Sequence, residues 1–298
     1  MNGPTRVWIN GKEVALADAL VSVFDRGFLY GDAIFETIPV YDGHAFRMRA
    51  HLDRLIEGAA ALRLEAYPAR EALEHMLERA IRQTQDCVVR IALTRGRSGS
   101  GGLAASGAGP ATTIVATLPP RRYAPELRAG GAAVVVSTVR HPSPKSLPTH
   151  VKHANYLSSI LAYDQAHRAG ADEAFMLGDE GQIVEAAFSN VFAVLDGTLT
   201  TPPIEDGALA GITRAALLEL AQGASIPFKE DRLFVRDLLR ADEIFVTNSN
   251  VGVMPVRVLQ GLGPDDAFHR ELKAPGRLTA QLAAAYWDLV RREAGEPW

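Results

Sequence analysis

The chain has 298 residues, 47% of them hydrophobic and 22% charged, and a formal charge of −4. That balance describes a globular protein long enough for two domains, and it excludes a basic nucleic-acid surface or a surface built for anionic membranes. The single cysteine, Cys87, excludes an internal disulfide and a cysteine-built zinc site. The eight histidines are scattered without metal-ligand spacing, so no metal is expected. No apolar run approaches the roughly 18 residues that cross a bilayer, and Met1 to Thr5 opens no signal peptide, so a cytoplasmic protein without membrane contact is expected.

In chain order, residues 6–9 lead into the turn Asn10-Gly11, 33–41 read as a strand closed by Asp42-Gly43, and 45–48 return from it. Leu52, Leu55, Ala59 and Leu62 recur at helical spacing, as do Leu73, Met76, Ala80 and Ile81. Two strands follow, at 87–94 and 112–118. The glycine- and serine-rich stretch 96–109 between them reads either as an active-site lid or as a surface loop. Proline and arginine crowd 119–125, which places an interdomain linker at 121–130, between a domain at 1–120 and one at 131–298.

Beyond the linker, 132–139 is a strand and 142–148 a proline-punctuated loop, followed by a helix from about Asn155 to Ala169. Two strands meet at Asp196-Gly197, Gly211-Ile212-Thr213-Arg214 opens a helix, 243–248 is a buried strand, and 277–292 is helical. The pattern predicts an α+β protein of two parts with mostly antiparallel pairing, not a regularly alternating doubly wound sheet.

Only five lysines stand against twenty-six arginines, and one of the five, Lys152, lies in Val151-Lys152-His153-Ala154-Asn155-Tyr156. A lysine amine forms an imine with an aldehyde when its surroundings depress its pKa, and Tyr156 follows about one helical turn later. Glu185 sits in the apolar run Ile183-Val184-Glu185-Ala186-Ala187-Phe188. An unpaired carboxylate there costs several kcal/mol, roughly, whereas a protonated pyridine nitrogen would satisfy it. Strand alternation offers the other reading, in which Glu185 faces water. An amine, a phenol and a buried acid are the groups that hold and ionise a pyridoxal cofactor.

A phosphorylated cofactor needs an anion site. Gly211, Ile212 and Thr213 at a helix start supply amides and a hydroxyl, Arg54 supplies a fork of donors, and Thr247-Asn248-Ser249-Asn250 offers a second nest. Each of these residues, taken singly, also reads as an ordinary helix start, surface charge or turn.

Together the pieces resemble the class IV aminotransferases, the fold-type IV family of pyridoxal 5′-phosphate enzymes, which includes branched-chain aminotransferases, D-amino acid aminotransferases and aminodeoxychorismate lyases. The resemblance runs from about Val7 to Val256. It is carried by Phe24 to Thr37, by His51-Leu52-Asp53-Arg54-Leu55, by Lys152 to Tyr156, by Val184-Glu185 through Asn190-Val191-Phe192, by Gly211 to Arg214 and by Thr247 to Val256.

The resemblance implies that Lys152 is the imine-forming lysine and proton shuttle, that Glu185 partners the ring nitrogen, and that Tyr156 lies near the phenolic oxygen. Arg54, Gly211, Ile212, Thr213, Ser249 and Asn250 would hold the phosphate. It implies a smaller amino-terminal lobe, a larger carboxy-terminal lobe with the cofactor between them, and a homodimer whose partner completes the site. The expected reaction moves an amino group between an amino acid, branched-chain-like or D-configured, and a 2-oxo acid. From their positions, Arg90 or Arg95 would hold the substrate carboxylate, with Tyr30 and Phe35 shaping the side-chain pocket.

An aminodeoxychorismate lyase, giving 4-aminobenzoate and pyruvate with Thr37 near the departing group, is the alternative within the family. A non-catalytic scaffold is the alternative outside it. Thr37 stands where branched-chain enzymes usually show glycine, and the spacing from Lys152 to Tyr156 is one residue shorter than theirs. Tyr156 itself leans toward that group, so the subfamily evidence is divided.

Overall fold

Asn10 and Gly11 adopt positive φ angles of 50° and 77°, which is what a two-residue hairpin needs between β1 (Arg6–Ile9) and β2 (Lys12–Val14). The computed structural model describes residues 5–82, 84–99, 102–120, 122–263 and 267–296. Among these the chain divides into two compact units. The first comprises 1–121 together with 151–155 and 290–298, and the second comprises 122–150 and 156–289.

The first unit continues with α1 (Arg26–Tyr30), β3 (Ala33–Tyr41), β4 (His44–Ala45), α2 (Met48–Ala61), α3 (Arg70–Ile81), β5 (Cys87–Thr94) and β6 (Thr113–Leu118). Its sheet runs β2-β1-β6-β5-β3-β4 with every neighbour antiparallel. The core-facing row of β3, Ile34, Ile38 and Val40, packs with Leu52, Leu55 and Ala59 of α2 and with Leu73, Leu77 and Ala80 of α3. Apolar residues at helical spacing on α2 and α3 therefore meet an alternating strand, and burial of these side chains supplies the main stabilisation.

Two carboxylates, buried Asp25 and half-buried Asp32, fix the entry to β3. Asp25 accepts from Gly27 N at 2.8 Å, Thr94 Oγ1 at 2.9 Å and Thr112 Oγ1 at 2.7 Å, so the cap of α1 also ties β5 to the start of β6. Asp32 takes both Arg26 and Arg95, and the remaining Arg26 nitrogens donate to the carbonyls of Gly102, Leu103 and Ala104. The described end of the glycine-rich loop is thus anchored from α1, while residues 100 and 101 lie outside the described residues.

The second unit contains α4 (Pro125–Gly130), β7 (Ala132–Arg140), α5 (Leu157–Arg168), β8 (Glu173–Leu177), β9 (Gln182–Ala186), β10 (Asn190–Leu195) and β11 (Thr198–Thr201). It goes on with α6 (Ile212–Gly223), β12 (Phe228–Glu230), β13 (Leu233–Phe234), α7 (Val235–Leu238), β14 (Glu243–Asn248), β15 (Gly252–Gly261), β16 (His269–Glu271) and α8 (Arg277–Ala294), whose last turns fall in the first unit. Ten strands form one sheet along β12-β11-β10-β14-β15-β7-β8-β9-β13, with β16 beside β15. The joins β11/β12, β15/β7 and β7/β8 are parallel and the others antiparallel, so the sheet is mixed, as an α+β chain predicts.

Four boundaries differ from those the sequence suggests. The return strand after Gly43 is only His44–Ala45, because Arg47 turns left-handed at φ 52° and α2 starts at Met48. The linker 121–130 contains α4, with Pro125 in its first turn, where a missing N–H costs nothing. The helix predicted from Asn155 starts at Leu157, because the Asn155 side chain donates to Gly31 O at 3.1 Å. Finally, 151–155 and 290–298 belong with the first unit and not with the carboxy-terminal domain. Backbone bonds from Phe35 N to Lys152 O (3.0 Å) and from Ala154 N to Ala33 O (2.8 Å) pair the short segment with the open edge of β3. Glu296 N donates to Asp42 Oδ2 at 3.0 Å, which fixes the end of the chain.

Candidate active site

Register on β3 sorts the first group of candidates by face. Thr37 stands opposite Arg90 of β5, and Phe35, two residues away, shares its face. The Arg90 guanidinium lies 3.8 Å from the centre of the Phe35 ring, and Lys152 Nζ lies 4.8 Å from the same centre. One aromatic surface therefore carries two cations, an arrangement that ring quadrupoles favour. Tyr30 closes α1 under the Arg26 guanidinium, 5.0 Å from its ring centre.

Arg95 is placed differently from expectation. Its Nε and Nη2 bond Asp32, and Nη1 and Nη2 donate to the carbonyls of Arg63 and Leu62 at 2.7 and 2.8 Å. Four of the five N–H groups of Arg95 are thus committed to the fold.

The other face of β3 carries a residue that the sequence reading missed. Glu36 is 1% exposed and accepts from Arg54 Nε at 2.6 Å and Nη2 at 2.8 Å, while His51 Nδ1, also on α2 and 1% exposed, lies 2.7 Å from its Oε2. Burial opposes ionisation of Glu36, but His51 and the Arg54 guanidinium outweigh it and hold the carboxyl at about 2. Burial is also the largest influence on His51 and lowers its pKa, so the ring is neutral and Nδ1–H donates. The signal was present: a lone acid in a nine-residue strand that is otherwise almost entirely apolar, with a histidine and an arginine three residues apart on the next helix. Arg54 is thus a helix residue fixed by a bidentate carboxylate, and its orientation is set before any anion arrives.

The second group lies in the second unit. Glu185 on β9 accepts from three donors: His141 Nε2 at 3.2 Å, Leu209 N at 2.9 Å and Asn190 Nδ2 at 3.4 Å. The side chain is 18% exposed, so alternation does not send it into open water. His141 was also missed by the sequence reading, since nothing in its local spelling announces a partner 44 residues away. Burial works against the His141 imidazolium, but the hydrogen bond and charge of Glu185 outweigh it and raise its pKa.

Gly211 precedes α6 without a side-chain cap, so the first amides of α6, at Ile212 and Thr213, lack intrahelical acceptors. A Cβ at Gly211 would overlap Asn190 Oδ1, so only glycine allows this approach. Gly211→Ala is expected to push Asn190 away from Glu185 and from Leu209 O, costing about 1–3 kcal/mol, which a thermal melt will read as a lowered midpoint. An unchanged melt would contradict the close approach.

The turn after β14 is narrower as a nest than predicted. Asn248 Oδ1 already accepts from Asn250 N at 2.8 Å and Val251 N at 2.9 Å, so those amides serve the turn itself. Asn248 Nδ2 donates to Ser189 Oγ at 3.0 Å, which donates to Glu173 Oε2 at 2.9 Å, and burial pushes the Glu173 carboxyl up to about 8. In this stretch Thr247 Oγ1 and Asn250 Oδ1 are buried without a partner among the described residues. Tyr156 stands at the N-cap position of α5, with no capping bond from its side chain.

These groups fit a pyridoxal phosphate. An ionised carboxylate has about four lone-pair positions, and three of those on Glu185 are filled, which leaves one for a protonated ring nitrogen. The uncapped start of α6 and Ser249 suit a phosphate. In the first unit, taken by itself, Lys152 offers an amine and Arg54 a fixed fork of donors. Among the described residues no cluster of histidine, cysteine, aspartate and glutamate could hold a metal ion.

The family model for class IV aminotransferases matches residues 33–259. A branched-chain-amino-acid aminotransferase of Escherichia coli (strain K12) is 32% identical over 303 residues, covering 98% of this chain and 95% of that protein. Two solved structures share the fold. The T.th. branched-chain amino acid aminotransferase with pyridoxamine 5′-phosphate has a TM-score of 0.84 at 28% identity, covering 100% of this chain and 96% of that one. The 4-amino-4-deoxychorismate lyase of Pseudomonas aeruginosa has a TM-score of 0.83 at 32% identity, covering 96% and 98%. A matching model over most of the length, and relatives that run nearly end to end, place this chain in the class IV aminotransferase family.

Proposed function

We propose that the enzyme moves an amino group between a branched-chain-like amino acid and a 2-oxo acid, with Lys152 as the amine that receives the cofactor. The cofactor of this aminotransferase is pyridoxal 5′-phosphate, which when bound acts as an electron sink for negative charge at the substrate carbon. The observation that carries the reading is the Phe35 ring, with an amine and a guanidinium on it. An amino acid needs a base for its α-proton and a cation for its carboxylate. Lys152 Nζ takes that proton and later returns one, while Arg90 holds the carboxylate and Tyr30, Phe35 and Thr37 shape the side-chain pocket. Glu185 holds the ring nitrogen, Tyr156 the phenolic oxygen, and Arg54, Ile212, Thr213 and Ser249 the phosphate.

The test is spectral. A panel of L- and D-amino acids, each added alone, should convert the visible absorbance of the bound cofactor to that of the amine form, with branched-chain L-substrates fastest. If D-amino acids react fastest, the D-specific reading replaces this one. The likeness to the lyase supports a second reading. Release of pyruvate from aminodeoxychorismate without accumulation of the amine form would establish that reaction instead.

A cytoplasmic homodimer completes the proposal. Leu16, Leu20, Val23, Phe24 and Phe28 are all exposed within one short stretch of the first unit, an apolar run that a second copy would cover. Light scattering should give twice the chain mass, and a monomer at micromolar concentration would oppose the dimer. Among the described residues no helix is long and apolar enough to cross a membrane.

A further inference from the structure

We infer that His141 is held doubly protonated between the Pro142 carbonyl and the Glu185 carboxylate, and that this imidazolium positions Glu185 as an acceptor toward the cofactor's ring nitrogen. The inference rests on the reading of Glu185 as partner of the ring nitrogen.

His141 follows β7 directly and is 8% exposed. Its Nδ1 lies 3.0 Å from Pro142 O and its Nε2 lies 3.2 Å from Glu185 Oε1. A carbonyl only accepts, and so does an ionised carboxylate. A neutral imidazole has one N–H, so either tautomer would set a nitrogen lone pair against an oxygen lone pair in a site with little water. Two protons are needed on the path from Pro142 O to Glu185 Oε1. The second could reside on Glu185, but Glu185 Oε2 accepts from Leu209 N and Asn190 Nδ2, and both bonds favour the carboxylate. The proton therefore belongs to Nε2. The raised pKa of His141 agrees with this placement.

The surroundings leave Glu185 as the charge that acts on the ring. Gly207 packs close to Nδ1, a Cβ there falling 3.5 Å from it and 3.0 Å from Thr149 Oγ1, and neither residue is charged. The neighbouring acid, Asp206, turns Oδ1 to Arg232 at 2.8 Å. No other ionic partner of His141 is found among the described residues.

The charge count gives the consequence. Glu185 and His141 together are neutral. A ring nitrogen that arrives with its proton makes the group of three singly positive, and no proton enters or leaves. The imidazolium keeps Glu185 an acceptor toward the ring nitrogen, while its own positive charge opposes that of the protonated ring, so removing the charge should make the cofactor's protons harder to lose. His141 acts through Glu185 and is a positioning residue.

The experiment uses the holoenzyme labelled with ¹⁵N-histidine. Long-range ¹H–¹⁵N correlations, assigned through the backbone, report the protonation of both ring nitrogens without any variant. Both should be protonated at pH 7 and remain so above the ordinary histidine range. A single neutral tautomer at pH 7 overturns the inference. His141→Gln, which keeps one donor toward Glu185 but removes the charge, should raise the pH midpoint of the bound cofactor's visible absorbance by about one unit or less. An unchanged midpoint also overturns it. A wild-type sample that takes up no pyridoxal phosphate would instead refute the proposed function, and the histidine spectrum of that cofactor-free protein still decides the protonation state.

Discussion

Lys152→Ala is expected to lose the visible absorbance of the bound cofactor and to lower turnover by about 10⁴-fold or more, because in the proposed mechanism one change removes both the nucleophile and the proton carrier. The fold should survive. Lys152 is only half-buried, and its contribution to the pairing with β3 is its backbone carbonyl, which accepts from Phe35 N. The melting midpoint should therefore stay within a few degrees of the parent while activity vanishes. Lys152→Arg keeps the cation near Phe35 but cannot form the bond, so it should be as inactive as alanine. A rate within tenfold of the parent in either variant would remove Lys152 from the chemistry.

Glu36→Ala should be the most destabilising of the changes considered. It strips the partner from a guanidinium that is 10% exposed and from a histidine that is 1% exposed, and leaving a buried charge uncompensated costs roughly 3–5 kcal/mol. The pH dependence has a definite sign. The Glu36 carboxyl is depressed to about 2 in the folded chain, below its unfolded value of about 4.3, so its contribution is fully present above the unfolded value. That contribution, roughly 2–4 kcal/mol, fades as pH falls through 4 towards 2. Wild-type denaturation curves should steepen in that window, and Glu36→Gln should flatten them. Glu36→Gln should also weaken phosphate retention, since its amide cannot fix Arg54 through two charged bonds. If the variant and the parent lose stability in parallel below pH 4, the ion pair does not contribute as described.

Local order was legible where one segment carries its own instructions. Asn10-Gly11 spells a hairpin, the spacing of Leu52, Leu55 and Ala59 spells α2, and Asp196-Gly197 joins β10 to β11 with no outside help. Several short elements, β12, β13, α7 and β16, were not read, because two to four residues hold too little periodicity to separate from loop. The family was legible because the stretches around Lys152, Glu185 and the start of α6 each carry a distinctive local spelling.

The supporting contacts were not legible. His141 meets Glu185 across 44 residues and Arg54 meets Glu36 across 18, and such pairings are decided by strand register, which a single sequence does not display. Arg95 shows the converse case. A cation at a strand end resembles a ligand-binding residue until the acid and carbonyls that occupy it are seen.

The placement of residues 151–155 and 290–298 bears on how the chain matures during synthesis. Neither unit is one uninterrupted stretch of polypeptide, and the bond from Glu296 to Asp42 closes a loop of 254 residues. The amino-terminal unit is thus the first to leave the ribosome and the last to be finished. Its β3 edge waits for residue 154 and its rim for residue 296. A fragment ending at 121 should emerge with an unpaired, sticky strand margin and should depend on chaperones, whereas the intact polypeptide seals that margin itself.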